Sequence, residues 1–174
     1  MPKIGQSDVP WAAYVRNRLR NSVNRLYIFY LRAVWHMDIG AETRVSLSAR
    51  LDKTNPKGIH IGRQCSVNFD VAILTHDFVN RVHRDVHIGD RCLIGARTII
   101  YPGVRIGDSC IVSAASVVMK DVPAGSLVAG NPARVMESGI ETGPYGYLVK
   151  RAKPETADRS NVAVLATGAG SPKS

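Results

Sequence analysis

Five histidines and three cysteines are the side chains of this sequence best suited to proton transfer, nucleophilic attack or metal ligation. Cys65, Cys92 and Cys110 fall in no CxxC or CxxxxH spacing, and their odd count argues against a disulfide framework or a zinc finger. A nucleophilic cysteine needs to face solvent beside a base. Among the histidines, His76 is followed directly by Asp77, an imidazole beside a carboxylate. His83 and His87 are four apart, while His36 and His60 stand alone. An imidazole with a free nitrogen serves as a general base near neutral pH. Which role applies depends on the elements that carry these residues.

Those elements are set by a repeat of six. An aliphatic residue returns at Ile39, Val45 and Leu51, at Ile61, Val67 and Ile73, and at Ile88, Ile94, Ile100, Ile106, Val112 and Val118. Two steps are longer: ten residues from Leu51 to Ile61, and fifteen from Ile73 to Ile88. Both follow a third hexad, so with three hexads per turn both insertions leave from one edge. An 18-residue turn stacks Ile61, Ile88 and Ile106. It also places Cys65, Cys92 and Cys110 in one inward column, where they act as small apolar fillers. Short strands turning at glycine-rich corners predict a mainly β protein, a parallel β-helix of about four coils. So short a prism, with flat sides, predicts a homo-oligomer. His76 falls on the edge where the nine-residue insertion begins, and Gly103 of the next turn leaves room beside it.

The runs Ile88–Val135, ending in VAGNPARV, and ILTHD at Ile73–Asp77 resemble the hexapeptide-repeat acyltransferases, closest to the maltose, nodulation-factor and polysaccharide O-acetyltransferases. The resemblance spans roughly residues 39–136. It implies a left-handed coil, a homotrimer with the active site between subunits, and acetyl-CoA as donor. His76 matches the family's catalytic histidine, the base that takes the proton as an acceptor oxygen attacks the thioester. Asp77 is the companion candidate, to orient the ring or satisfy the turn. Lys120 matches the family lysine near the CoA phosphates, and Ala96 and Ala114 match small residues that the pantetheine arm approaches. Arg134 is a second phosphate candidate. Ser113-Ala114-Ala115-Ser116 replaces the more usual Gly-Ala-Gly-Ser, Met119 a common Thr, and Glu137 a basic residue of some relatives. Arg81 and Arg84 of the insertion, with Asn68 and Asp70, are candidates for holding a sugar or glycan acceptor. Direct O-acetylation is the expected reaction, with N-acetylation of an amino sugar as the nearest alternative. A γ-type carbonic anhydrase resembles the fold but needs three histidine ligands with a spacing not found here, so no metal is expected. A non-catalytic scaffold is the contrasting class.

The formal charge of +9 asks for an anionic partner. Residues 1–38 carry six basic and two acidic side chains, 39–136 twelve and eight, and 137–174 five and four. The first segment reads as a basic amphipathic helix entered near Asp8 and Pro10. Its stripe is Trp11, Val15, Leu19, Val23, Leu26, Tyr30 and Val34, with Arg16, Arg20 and Arg25 off it. The stripe is expected to cap the 39–136 domain, or to lie on an anionic membrane. Nucleic acid is disfavoured, since no aromatic surface interleaves the basic residues. No apolar run approaches the roughly 18 residues of a membrane span, and no signal peptide is recognisable. The expected location is cytoplasmic, with peripheral membrane contact through the helix. Residues 137–174 read as an extension, loosely packed or disordered beyond about Lys150.

Overall fold

In the computed structural model, which describes residues 11–151, the repeat of six becomes three parallel sheets. The first stacks Asp38–Ile39, Ile59–Ile61, Val86–Ile88 and Arg105–Ile106. The second stacks Arg44–Val45, Ser66–Val67, Leu93–Ile94, Ile111–Val112 and Ser126–Gly130. The third stacks Arg50–Leu51, Ala72–Ile73, Ile99–Ile100 and Val117–Val118. The chain visits the sheets in turn, so each of three corners recurs turn after turn. The register is the expected one, with Ile61 opposite Ile88 and Ile88 opposite Ile106. All twelve repeated aliphatics are buried, none more than 7% exposed. Removing them from water supplies the main driving force for stacking.

Corner chemistry explains why every strand of the three sheets before Ser126–Gly130 stops after two or three residues. At the first corner, between first and second sheets, Gly40, Gly62, Gly89 and Gly107 each lie against the next turn. A Cβ on Gly62 would come within 2.6 Å of the Gly89 carbonyl carbon. Glu42, Gln64, Arg91 and Ser109 then reverse the chain at positive φ. Asp70, Arg97 and Ala115 do so at the second corner. The cysteine column fills the first corner from inside, fully buried, with Cys65 Sγ donating to Gly89 O (3.0 Å) and Cys92 Sγ to Gly107 O (3.1 Å). Contacts with the Cys110 and Cys65 thiols, and then burial, push the Cys92 thiol above its usual range, which suits a filler and not a nucleophile.

Helix α1 (Trp11–Trp35) lies across the start of the coil. His36 at φ 53° ends it, and Met37 N–H bonds back to Leu31 O. The face that packs is not the expected one. Ile28 and Leu31 are buried, Asn24 Nδ2 donates to Val45 O (2.5 Å) and Arg32 donates to Ile39 O. The predicted stripe faces outward instead, from Val23 at 40% exposed to Trp11 at 79%. Periodicity marks an apolar face, but nothing among the described residues buries it. No helix among the described residues is long and apolar enough to cross a membrane.

At the other end, Ala133–Ser138 folds back antiparallel on Ser126–Gly130, so the boundary expected at 136 falls inside a strand. Beyond it the chain returns to the coil. Ile140 and Thr142 are buried, Thr142 Oγ1 donates to Arg91 O (2.6 Å) and Tyr145 N–H to Gln64 O (2.6 Å). The helix entry at Asp8 and Pro10 and the loose tail beyond 151 lie outside the described residues.

Candidate active site

The third corner, from third sheet back to first, breaks the repeat. Both insertions leave from it, as the spacing predicts: Leu51 and Ile73 are register partners, and each is followed by an excursion before the first sheet resumes. The longer excursion is a small hairpin in which His76–Asp77 pairs antiparallel with Val82–His83. His76 thus lies at the base of the hairpin, with its side chain 32% exposed.

The carboxylate that meets His76 is Asp52, not Asp77. His76 Nδ1 lies 2.5 Å from Asp52 Oδ2, and the Asp52 side chain is 4% exposed. The same oxygen accepts the N–H groups of Thr75 (2.9 Å) and His76 (3.1 Å), and Oδ1 accepts Thr54 N–H (2.8 Å). Burial alone would raise this carboxyl. The hydrogen bonds from His76, Thr75 and Thr54 outweigh it and hold Asp52 well below the usual carboxylate range. A charged acceptor on Nδ1 fixes the tautomer with the proton there, leaving the Nε2 lone pair free. An imidazole so held is ready to take a proton and is stabilised once charged.

Asp77 satisfies the turn. Its carboxylate accepts Asn80 Nδ2 (2.6 Å) and the N–H groups of Asn80 and Val79, which lower its pKa. Arg84 N–H donates to Thr75 O (2.9 Å), and a Cβ on Gly103 would meet Arg84 Cδ at 3.2 Å. The space expected beside the imidazole therefore holds the Arg84 stem. Arg81 is exposed at the hairpin tip. Lys120, exposed two turns beyond, follows Val118 on the same corner.

Other candidates lie elsewhere. Asn68, Asp70, Ala96 and Ala114 occupy the second corner, where Val67, Ile94 and Val112 are in register. There Ala115 N–H bonds to Ala96 O (2.8 Å), while the N–H groups of Ala96 and Ala114 have no partner among the described residues. Arg134 is exposed on the antiparallel strand. Arg134 apart, one chain therefore divides the predicted set between two corners joined by the third sheet. A groove of about 800 Å³ lies elsewhere again: it runs between α1 and the second sheet, lined by Leu19, Val23, Leu47, Asn68 and Phe69 with Arg16. It includes none of the His76 cluster. Sequence reading missed Asp52, although the register signal existed: it follows Leu51, on the edge that carries His76.

Comparison with known proteins agrees with this architecture. Residues 85–120 match the family described as the hexapeptide repeat of succinyl-transferase. The candidate acetyltransferase YvoF of Bacillus subtilis is 40% identical over 115 residues, 65% of this chain and 64% of that protein. The chain thus spans a little under two thirds of that relative's length. A hexapeptide-repeat acetyltransferase of Vibrio cholerae, solved with acetyl-CoA, superposes with a TM-score of 0.52 at 31% identity, over 57% of this chain and 58% of that one. A maltose O-acetyltransferase of Clostridium difficile gives 0.52 at 26% identity, over 78% and 79%. A turn-by-turn repeat in register and a histidine held at its interrupted corner agree with these comparisons: the chain is similar to the hexapeptide-repeat acetyltransferases.

Proposed function

We propose that this protein is an acetyltransferase that moves an acetyl group from acetyl-CoA directly to a hydroxyl of a sugar or glycan, with His76 as general base. The observation that carries the reading is the buried Asp52 carboxylate on His76 Nδ1. The acceptor hydroxyl gives its proton to Nε2 as its oxygen bonds to the thioester carbonyl carbon. The tetrahedral oxyanion, held by a backbone N–H, collapses with cleavage of the C–S bond, and the proton passes from His76 to the departing CoA sulfur. Asp52 is a positioning residue that favours the imidazolium formed in between.

Acetyl-CoA as donor is supported by the acetyl-CoA-bound relative, and a sugar acceptor by the likeness to a maltose O-acetyltransferase. In this reading the coil winds left-handed in about four turns. Three copies stand side by side, so that the free N–H groups of Ala96 and Ala114 on one chain face the His76 corner of its neighbour. Lys120 and Arg134 meet the CoA phosphates, and Arg81, Arg84, Asn68 and Asp70 meet the acceptor. The exposed stripe of α1, flanked by Arg16, Arg20 and Arg25, is left for an anionic lipid surface, and flotation with acidic vesicles tests it. His76→Ala should lower CoA release with a responsive sugar by about 10²–10⁴-fold while the thermal midpoint and acetyl-CoA binding hold. Unchanged turnover would overturn the assignment.

A further inference from the structure

The outward face of the first sheet carries a column that the proposed reaction does not use. Asp38, His60, His87 and Arg105 are paired in register on successive turns. Asp85, two residues before His87 where the insertion rejoins the sheet, stands beside it. Ligating atoms of His60, Asp85 and His87 all lie within 4.8 Å of one another, and His60 Nε2 is 3.9 Å from Asp85 Oδ2. We propose that His60, Asp85 and His87 form a binding site for a divalent transition ion of the zinc type, independent of the acetyl-transfer reading.

Two of the three ligands are already oriented through their other polar atom. His60 Nδ1 lies 3.2 Å from Asp38 Oδ2, so a neutral imidazole donates there and keeps its Nε2 lone pair outward. Asp85 Oδ1 accepts Asn55 Nδ2 at 3.4 Å, leaving Oδ2 to face the histidines. Carboxylate behind imidazole, and amide behind carboxylate, is the outer-layer support that metal ligands require. Two imidazoles and one carboxylate suit zinc and leave a fourth position for water or another donor.

Around one zinc, with bonds of about 2.0–2.1 Å, ligand atoms stand roughly 3.4 Å apart. Binding one ion requires the side chains to rotate and close that difference. The Asp85 side chain is 55% exposed, and the two imidazoles, both half-buried, stack at 4.4 Å with 5° between their planes on an open sheet face. Spacing along the chain hides the site, because His60 and His87 become neighbours only through the stacking of turns.

The test uses the full chain, free of any affinity tag and stripped of metal, with zinc read by competition against a chromogenic chelator. One zinc per chain should bind at micromolar concentration or below. His60→Ala and His87→Ala should each weaken binding at least about tenfold, and Asp38→Asn about tenfold through the lost orientation, while His36→Ala leaves it unchanged. Cobalt gives a readout that needs no substitution: the intense visible absorption of a four-coordinate site in place of the pale spectrum of the aqueous ion. Absence of binding up to about 100 μM zinc, or undiminished affinity in a folded His60→Ala/His87→Ala double variant, overturns the proposal.

Discussion

The first and third corners of the coil follow opposite rules. At the first, every turn repeats one solution: a glycine against the next backbone, a residue at positive φ and a small buried side chain, cysteine in three turns. The glycine and the inward side chain there are held to small types, because each turn is the packing surface of the next. At the third corner the repeat is interrupted twice, and the interruptions bring Asp52 and His76 together from consecutive turns. Regular corners hold the coil together, while the irregular corner releases backbone and side chains from the repeat.

The largest effect that sharpens this contrast is at Asp52. Asp52→Asn replaces an acceptor by an amide and removes the charge that fixes the His76 tautomer, so kcat should fall about 10²–10⁴-fold with KM for acetyl-CoA little changed. Asp77→Asn removes a turn contact only and should cost less than about tenfold. Equal losses would return the orienting role to Asp77. Next is the first corner, where Gly62→Ala drives a Cβ against the Gly89 backbone. Destabilisation of about 1–3 kcal/mol in denaturant unfolding is expected, with turnover per folded molecule retained.

Acid separates the two corners in another way. The folded Asp52 carboxyl is held below its ordinary value, so its contribution to stability is complete above the unfolded value of about 3.9. It is lost as pH falls below that value and through the lowered folded one. The thermal midpoint of the native chain should therefore drop from pH 6 to pH 2.5 more steeply than that of Asp52→Asn. A constant gap between the two would show that Asp52 is not held as a carboxylate.

Legibility in the sequence follows the same division. The twelve aliphatics and the cysteine column could be read because each regular position repeats under one constraint. That both insertions leave one edge was legible too, and with it the place of His76. Asp52 was not, because counting along the chain favours Asp77 beside His76, whereas the coil makes residues one turn apart the true neighbours. For the same reason Gly103 suggested open space that the Arg84 stem fills. The helix stripe shows a different limit. A period of 3.6 identifies an apolar face but carries no information on whether its partner is in the same chain, and here Ile28 and Leu31 pack instead. From Gly139 onward the sequence reads as a mixture of Gly, Pro, Ser and Lys, yet Ile140 and Thr142 are buried against the coil.

The smallest effect concerns what regularity costs. Ala115 reverses the chain at φ 58°, a left-handed conformation in which its Cβ crowds the following carbonyl at about 1–2 kcal/mol. Glycine there removes the crowding but brings back roughly 0.5–1 kcal/mol of chain entropy in the unfolded state. The difference predicts that Ala115→Gly stabilises the fold by about 0.5 kcal/mol, read as a rise in the denaturant midpoint at constant slope. The N–H of residue 115 still reaches Ala96 O, so the corner keeps that bond to the preceding turn. A loss of stability would mean that the regular corners are held open by their side chains rather than strained by them. The contrast with the third corner, where Gly103 already has φ 87° and no such gain is available, would then disappear.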